Sequence, residues 1–376
     1  MKRWIWEQDD YPNFTYDLKK LEQLIGKISL EQGYLIAMTD VMNKDSILTR
    51  QLEALESEAI NTSAIEGEIL NRDSVKASIQ KKLGIKDIDY NKIDESTDYL
   101  IEVLIDANTN YNTDLTLERL FGWHNALFPR GYSGYFKINV ATFRGEETME
   151  VVSGEPGKEK TFYVAPPRDT IEKDIDRFLD WFNITPESLI KAAIAHLWFV
   201  IIHPFDDGNG RITRAITDLV LSKIEQSSFS KLYSMSSAIN ADRKGYYTAL
   251  ERTTGYVKKE DNHLDITVWC EWFLSTLHNS LLDTKNKLGY ILDKTKFWDE
   301  FKDSGLNARQ TKVINRILDV GVENFKGDLS KQKYIKIADT TSSTASRDIS
   351  ELLELGCIEQ VEGTAGRNIR YKVKNI

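Results

Sequence analysis

The sequence is short of several things, and each shortage excludes a class. It has only two cysteines, Cys270 and Cys357, far apart in its 376 residues. They can build neither a disulfide framework nor a cysteine zinc site. Both are expected to act as small buried hydrophobes in a reducing compartment. The longest uninterrupted apolar run, Leu197–Ile202, is far too short to cross a bilayer. The opening MKRWIWEQDD has two bases but no apolar stretch, so no signal peptide and a cytoplasmic location are expected. No G-x-x-x-x-G-K-[ST] string occurs, so a P-loop is excluded. There is no internal repeat and no low-complexity segment. A net charge of −9 speaks against the whole chain coating nucleic acid.

What is present is ordinary for a globular protein: 41% hydrophobic and 28% charged residues, with eight Trp and sixteen Tyr to fill cores. The charge is uneven. Residues 308–376 hold twelve Lys and Arg against nine Asp and Glu, so the tail is basic and the body strongly acidic.

Helical spacing dominates, so the fold class is expected to be mainly α. Leu18, Leu21, Leu24, Ile25 and Ile28 recur at helical intervals, as do Ile47, Leu48, Leu52, Leu55 and Ile60. Further helices are expected over Glu95–Ala107, Leu115–Phe128, Thr170–Phe182, Pro186–Ile202, about Gly210–Ile224, the 240s and Ile266–Lys287. Residues 1–15 read as extended, because Pro12 argues against a helix. Ile138–Phe143 alternates like a half-buried strand. Met149–Ser153 and Thr161–Val164 flank the turn-rich Gly154–Lys160 and predict a β-hairpin. From Ala308 three helices and two short strands, Cys357–Val361 and Ile369–Val373, follow in the order of a winged helix.

The chemistry is concentrated in His203–Arg214, HPFDDGNGRITR. Pro204 ends one helix, and another is expected to open near Gly210. Gly208 and Gly210 permit positive φ and close approach by a ligand. Backbone N–H groups at a helix start form an anion site. Arg211 and Arg214, three apart, share a helix face and could clamp neighbouring phosphates. Asp207 could hold a Mg²⁺ bridging phosphate oxygens. His203 has the intrinsic pKa of a general base.

These residues resemble the Fic family pattern H-x-F-x-[DE]-G-N-G-R-x-x-R, matched at His203, Phe205, Asp207, Gly208, Asn209, Gly210, Arg211 and Arg214. The resemblance covers about residues 95–285. It implies a Fic-type helical bundle with a β-hairpin flap, and transfer of AMP from ATP to a Tyr, Ser or Thr hydroxyl of a target protein. His203 would be the catalytic base and Asp207 the Mg²⁺ ligand. Gly208, Asn209 and Gly210 would form the anion hole, with a side-chain donor from Asn209. Arg211 and Arg214 would hold the β- and γ-phosphates, and Phe205 would pack beneath the loop. The hairpin resembles the family's flap, which puts Thr161, Phe162, Tyr163 and Val164 near the nucleotide. Tyr247 resembles a residue beside the adenine, a core tyrosine being the alternative.

Thr62-Ser-Ala-Ile-Glu66-Gly67 resembles the family's inhibitory motif [ST]-x-x-x-E-[GN]. Helical spacing puts Thr62 and Glu66 on one face. The resemblance implies that Glu66 pairs with Arg214 where the γ-phosphate would lie, and that Glu66 could instead support removal of AMP. The expected organisation is 1–94 with the inhibitory motif, 95–285 as catalytic core, 286–307 as helical linker and 308–376 as winged helix. The third helix of that tail sets Arg347 against Asp348, Glu351 and Glu354, so protein docking or a homodimer is favoured over DNA. A DNA-binding regulator whose core senses nucleotide, and an enzyme using UTP, stand as the rival readings.

Overall fold

The computed structural model describes residues 4–85, 90–153, 160–226, 232–255 and 264–374. It is mainly helical, and the described chain divides into two compact units, Met1–Tyr34 with Ile47–Leu281, and Leu35–Ser46 with Leu282–Ile376. After a 3-10 turn at Ile5–Glu7 come α1 (Leu18–Val41), α2 (Lys44–Ile65), α3 (Arg72–Lys82), α4 (Glu95–Thr109) and α5 (Leu117–Leu127). Two small hairpins follow, β1 (Tyr132–Ser133) with β2 (Phe136–Lys137), and β3 (Glu150–Ser153) with β4 (Lys160–Val164). Then come α6 (Ile171–Ile184), α7 (Leu189–Ile202), α8 (Asn209–Glu225), α9 (Met235–Ala241), α10 (Arg243–Thr254) and α11 (Thr267–Phe301). The chain closes with α12 (Ala308–Leu318), α13 (Lys331–Ala338), α14 (Ser342–Glu354), β5 (Ile358–Gln360) and β6 (Tyr371–Val373).

In the larger unit α7 and α8 form the central pair. Ala192, Ala193, Ala195, Leu197, Phe199, Ile201 and Ile202 of α7 are fully buried, as are Ile212, Ala215, Ile216, Leu219, Val220 and Leu221 of α8. Each large apolar side chain removed from water stabilises the fold by roughly 1.5–3 kcal/mol. Helix α4 packs on α8, α3 and α5 pack on α4, and α6 packs on α7. Side-chain caps set the helix starts: Ser188 Oγ accepts from Lys191 N–H for α7, and Thr116 Oγ1 from Arg119 N–H for α5.

Hairpin β3–β4 forms as the sequence pattern predicts. Val151 pairs with Tyr163 and Val152 with Thr161, so Phe162 is an extra residue in β4. The side chain of Phe162 lies outside the described residues, as does the expected turn at 154–159.

Three expectations fail. Residues 4–12 are not extended but form the 3-10 turn Ile5–Glu7 and further turns. Ile138–Phe143 is not a strand. Ile138 N–H bonds Gly131 O (3.0 Å), and two further backbone donors go to side chains: Ala141 N–H to His124 Nδ1 (3.2 Å) and Asn139 N–H to Asp206 Oδ2 (2.7 Å). The local alternation predicted a ladder partner that the fold replaces with fixed acceptors. Helix α11 runs on to Phe301, well past Lys287.

In the smaller unit α12–α14 and the β5–β6 ribbon enclose Val313, Ile314, Ile317, Leu318, Tyr334, Ile349, Leu352, Cys357, Tyr371 and Val373. Asp348 differs from its place in the sequence reading. It is fully buried and accepts from Arg309 (2.8 and 3.0 Å) and Tyr334 Oη (3.1 Å), so it is not a surface acid of α14. The Arg309 hydrogen bond leads the groups that hold its carboxyl below the usual range.

Candidate functional site

The α7–α8 connection is where the fold departs from regular helix. Pro204 has no N–H to continue α7, and His203 closes the helix in the left-handed region at φ 49°. Arg144 holds that conformation. Its Nε donates to His203 O (2.9 Å), its own N–H to Pro204 O (2.9 Å), and its Nη2 to Pro166 O. Asn209 closes the loop from the other end, accepting from Phe205 N–H (3.0 Å) and donating to Phe205 O (2.8 Å). That bond takes one of its two amide hydrogens, so the side chain shapes the loop while Asn209 also lies on the cleft lining. Asp206 accepts from Asn139 (2.7 and 2.9 Å) and Gly145 (3.2 Å). Phe205 is fully buried beneath the loop and stacks on His124 at 4.1 Å. The other edge of His124 contacts Asp207 O through Nε2 (3.2 Å). Burial pushes the His124 imidazole down to about 4, so the stack is neutral at pH 7.

His203 itself lines a cleft. Burial pushes its imidazole down to about 4 and Arg144 adds to the shift, while Val200 O, Glu66 and Asp207 oppose it. The ring is therefore neutral at pH 7 and able to take a proton. Its Nδ1 is buried without a well-formed hydrogen bond. An anionic ligand beside it would raise its basicity, since a nearby negative charge favours imidazolium.

Asp207 accepts from Ser133 Oγ and, through Oδ1, from Gly208 N–H (2.5 Å). Gly208 begins α8 at φ 82°, and a Cβ there would stand 2.8 Å from the ring of Phe128, so glycine is required twice over. Among the described residues no three His, Cys, Asp or Glu converge on a metal position. A single carboxylate next to a phosphate seat fits Mg²⁺, which usually takes one or two protein carboxylates and completes its shell with phosphate and water oxygens. The residues thus fit a metal that arrives with a polyphosphate.

Both arginines of α8 are paired with carboxylates from one short segment. Arg214, 2% exposed, donates Nε to Thr62 Oγ1 (2.6 Å) and Nη2 to Thr62 O (2.9 Å) and Glu66 Oε1 (2.6 Å). Arg211 donates to Glu68 Oε2 (2.9 Å) and lies over the ring of Phe128 at 4.9 Å. The segment is aimed by the end of α2. Glu68 N–H bonds Ser63 O and Gly67 N–H bonds Ala64 O, both at 3.0 Å, with Gly67 at φ 86°. This left-handed helix stop turns the chain so that Glu66 and Glu68, on either side of Gly67, both meet α8. The carboxylate of Glu66 covers Gly210, where an added Cβ would fall 2.0 Å from Glu66 Oε1.

The cleft has a volume of about 120 Å³. His203, Gly210 and Glu66 lie on its lining, with Val151 and Tyr163 from the flap hairpin and Tyr246, Tyr247 and Leu250 from α10. Tyr163 Oη donates to Ile201 O (2.8 Å), which ties the flap to the end of α7. Thr161 Oγ1 donates to Glu150 (2.8 Å), and Val164 O accepts from Trp6 Nε1 (2.7 Å), so neither lines the cleft in the way Tyr163 does. Tyr246 is buried and bonds His196 Nε2 (3.0 Å), leaving Tyr247 as the more accessible of the pair.

Sequence reasoning missed Glu68, Ser133, His124 and Arg144. Glu68 carried a usable signal, a second acid just beyond a helix-stop glycine. The other three are scattered polar residues whose role exists only in the folded loop.

Comparison with known proteins agrees with this geometry. Residues 114–221 match the Fic/DOC family, and residues 4–85 match a domain of unknown function, DUF4172. The chain is 25% identical over 181 residues to "Protein adenylyltransferase Fic" of Nematostella vectensis, covering 46% of this chain and 38% of that protein. It is 26% identical over 118 residues to "Uridine 5'-monophosphate transferase" of Xanthomonas campestris pv. campestris, covering 29% and 21% respectively. The chain thus spans well under half the length of these curated relatives. Among solved structures, a Fic family protein from Desulfovibrio desulfuricans G20 aligns with a TM-score of 0.53 at 20% identity, covering 93% of this chain and 96% of that one, a likeness of fold.

Proposed function

Starting from a chain that is a Fic-domain protein through residues 114–221, we propose that it transfers AMP from ATP to a Tyr, Ser or Thr hydroxyl of a target protein. The observation that carries this reading is the shared cleft: a neutral His203, the glycine start of α8 and the aromatic wall at Tyr247 line one cavity. In the proposed reaction His203 accepts the hydroxyl proton. The oxygen bonds to the α-phosphorus, and the bond to pyrophosphate breaks. Backbone N–H groups at the α8 terminus and the guanidinium groups of Arg211 and Arg214 receive the phosphate charge. A Mg²⁺ held by Asp207, once bound with the nucleotide, would neutralise charge between the α- and β-phosphates. Positioning and charge stabilisation supply most of such a rate, and a general base about 10²–10⁴-fold of it.

The ion pairs make the described state a closed one in this reading. Glu66 holds Arg214 and covers Gly210, and Glu68 holds Arg211, so carboxylates stand where a triphosphate would lie. Residues 308–376 are read as a winged helix that docks protein.

Intact-mass measurement of the Glu66→Gly chain after incubation with ATP tests the whole reading. Gain of one AMP unit, absent in His203→Ala, supports it. Gain of one UMP unit from UTP alone would transfer the reading to the activity named for the Xanthomonas relative. No adduct from either nucleotide on the chain or on added cell protein would overturn it.

A further inference from the structure

The segment before α1 has no role in the reaction above, yet it touches the cleft's two walls from behind. We infer that Trp4 and Trp6 are positioning residues, and that the turn Trp4 opens and Trp6 belongs to sets how the flap rests against α10, and with it the grip on the nucleotide base. The inference rests on the proposed nucleotide site and deepens it.

The contacts are specific. Trp6 Nε1 donates to Val164 O at 2.7 Å, at the end of β4. Trp4 is 6% exposed and meets Tyr163 edge-on, with ring centres 5.6 Å apart. Tyr163 is the β4 residue that lines the cleft. The turn Ile5–Glu7 also packs on α10, which itself touches β4 and carries Tyr246, Tyr247 and Leu250 of the cleft lining. The turn thus reaches both walls, with Ile5 buried at 3% exposure.

The turn is itself anchored. Glu7 Oε2 accepts from Trp4 N–H (2.9 Å), and Gln8 Nε2 donates to Trp4 O (3.1 Å). Downstream, Arg177 donates to Tyr11 O (3.2 Å), and Phe14 packs edge-on against Trp198 at 5.8 Å. Thr15 exchanges backbone bonds with Leu264 O (2.9 Å) and Ile266 N–H (2.8 Å). A two-stranded hairpin is marginal alone, and β4 carries an extra residue at Phe162 that interrupts its ladder. Outside fixation of Tyr163 and Val164 therefore matters for where the flap rests. An indole that only filled space would not need its N–H aimed at a strand carbonyl.

The test compares Trp6→Phe, which keeps a ring and removes the donor, with Trp4→Ala, both in the full chain. Amide exchange over 160–164 is expected to quicken several-fold in each, with α7 and α8 unchanged. Nucleotide titration is expected to show ATP binding weakened about fivefold by Trp6→Phe, the value of one ordinary hydrogen bond. In the Glu66→Gly background the KM for ATP should rise by the same factor with kcat within twofold. Exchange that is unaltered, or that quickens equally in α7 and α8, would overturn the inference by reducing the turn to plain packing. Absence of AMP transfer in every chain, with local exchange and ATP affinity still shifted, would instead sink the proposed reaction and leave the positioning role standing.

Discussion

The loop His203–Asn209 and the segment Thr62–Glu68 face each other across the start of α8, and they are held in opposite ways. The loop is fixed by buried contacts that involve no ion pair: the Arg144 guanidinium on His203 O, Asn209 on both polar atoms of Phe205, and the Phe205–His124 stack. The segment is held to α8 largely through charge, and its acids keep contact with water, with the Glu66 and Glu68 side chains 31% and 45% exposed. Both guanidinium groups are buried, so the pairs are open to water or a competing anion only from the carboxylate side, more at Glu68 than at Glu66. In the closed-state proposal the loop stays in place and the acids are what must leave.

Breaking the fixed side should cost most. His203→Ala, made in the Glu66→Gly background, is expected to lower AMP transfer from α-labelled ATP by at least about 100-fold. Its melting temperature should change little, because the imidazole Nδ1 has no well-formed bond to lose. Retained labelling would remove His203 as the base.

Breaking the releasable side should act in the other direction. Glu66→Gly removes a charge-assisted bond of 2.6 Å to a buried guanidinium. Such bonds are worth about 1.5–3 kcal/mol, so labelling should rise roughly ten- to hundredfold. Equal labelling of the two chains would remove the closed-state reading.

Acid sharpens the contrast from the stability side. Burial holds His203 and His124 near 4 and His196 near 3, against 6.5 for an ordinary imidazole. The unfolded chain therefore takes up protons that the folded chain refuses as pH falls from about 6.5 towards 4, and further for His196. Stability present above pH 6.5 is lost across that window, on the order of a few kcal/mol in all. Urea unfolding at pH 7, 6 and 5 should show the decline, and a flat profile would contradict the burial of these rings. The smallest effect is expected from Glu68→Ala. The Glu68 side chain is nearly half exposed, although its partner Arg211 is buried, so labelling should rise no more than about fivefold. A gain equal to that of Glu66→Gly would show that both pairs carry the same weight.

The sequence made some of this plain. The eight fixed positions from His203 to Arg214 announced the loop because their chemistry is local and ordered along the chain. The hairpin was legible from the turn-rich stretch between its strands, and α7 from its apolar run and Pro204. Ile138–Phe143 was misread because alternation says that a segment is half buried and not what its backbone will bond. Asp348 was counted as surface because its partner Arg309 lies far back in the chain. Arg144 and Ser133 were invisible for the same reason, since nothing in their neighbourhood marks a residue whose whole contribution is to a loop about sixty to seventy positions away.

Gly210 draws a further line through the molecule. The space its missing side chain leaves is filled by one oxygen of Glu66. A methyl group at this position would push that carboxylate aside, a small adjustment for the end of a flexible side chain, and would stand 3.1 Å from Arg214 Nη1. In the closed-state proposal the glycine is thus what lets the acid lie flat on the start of α8.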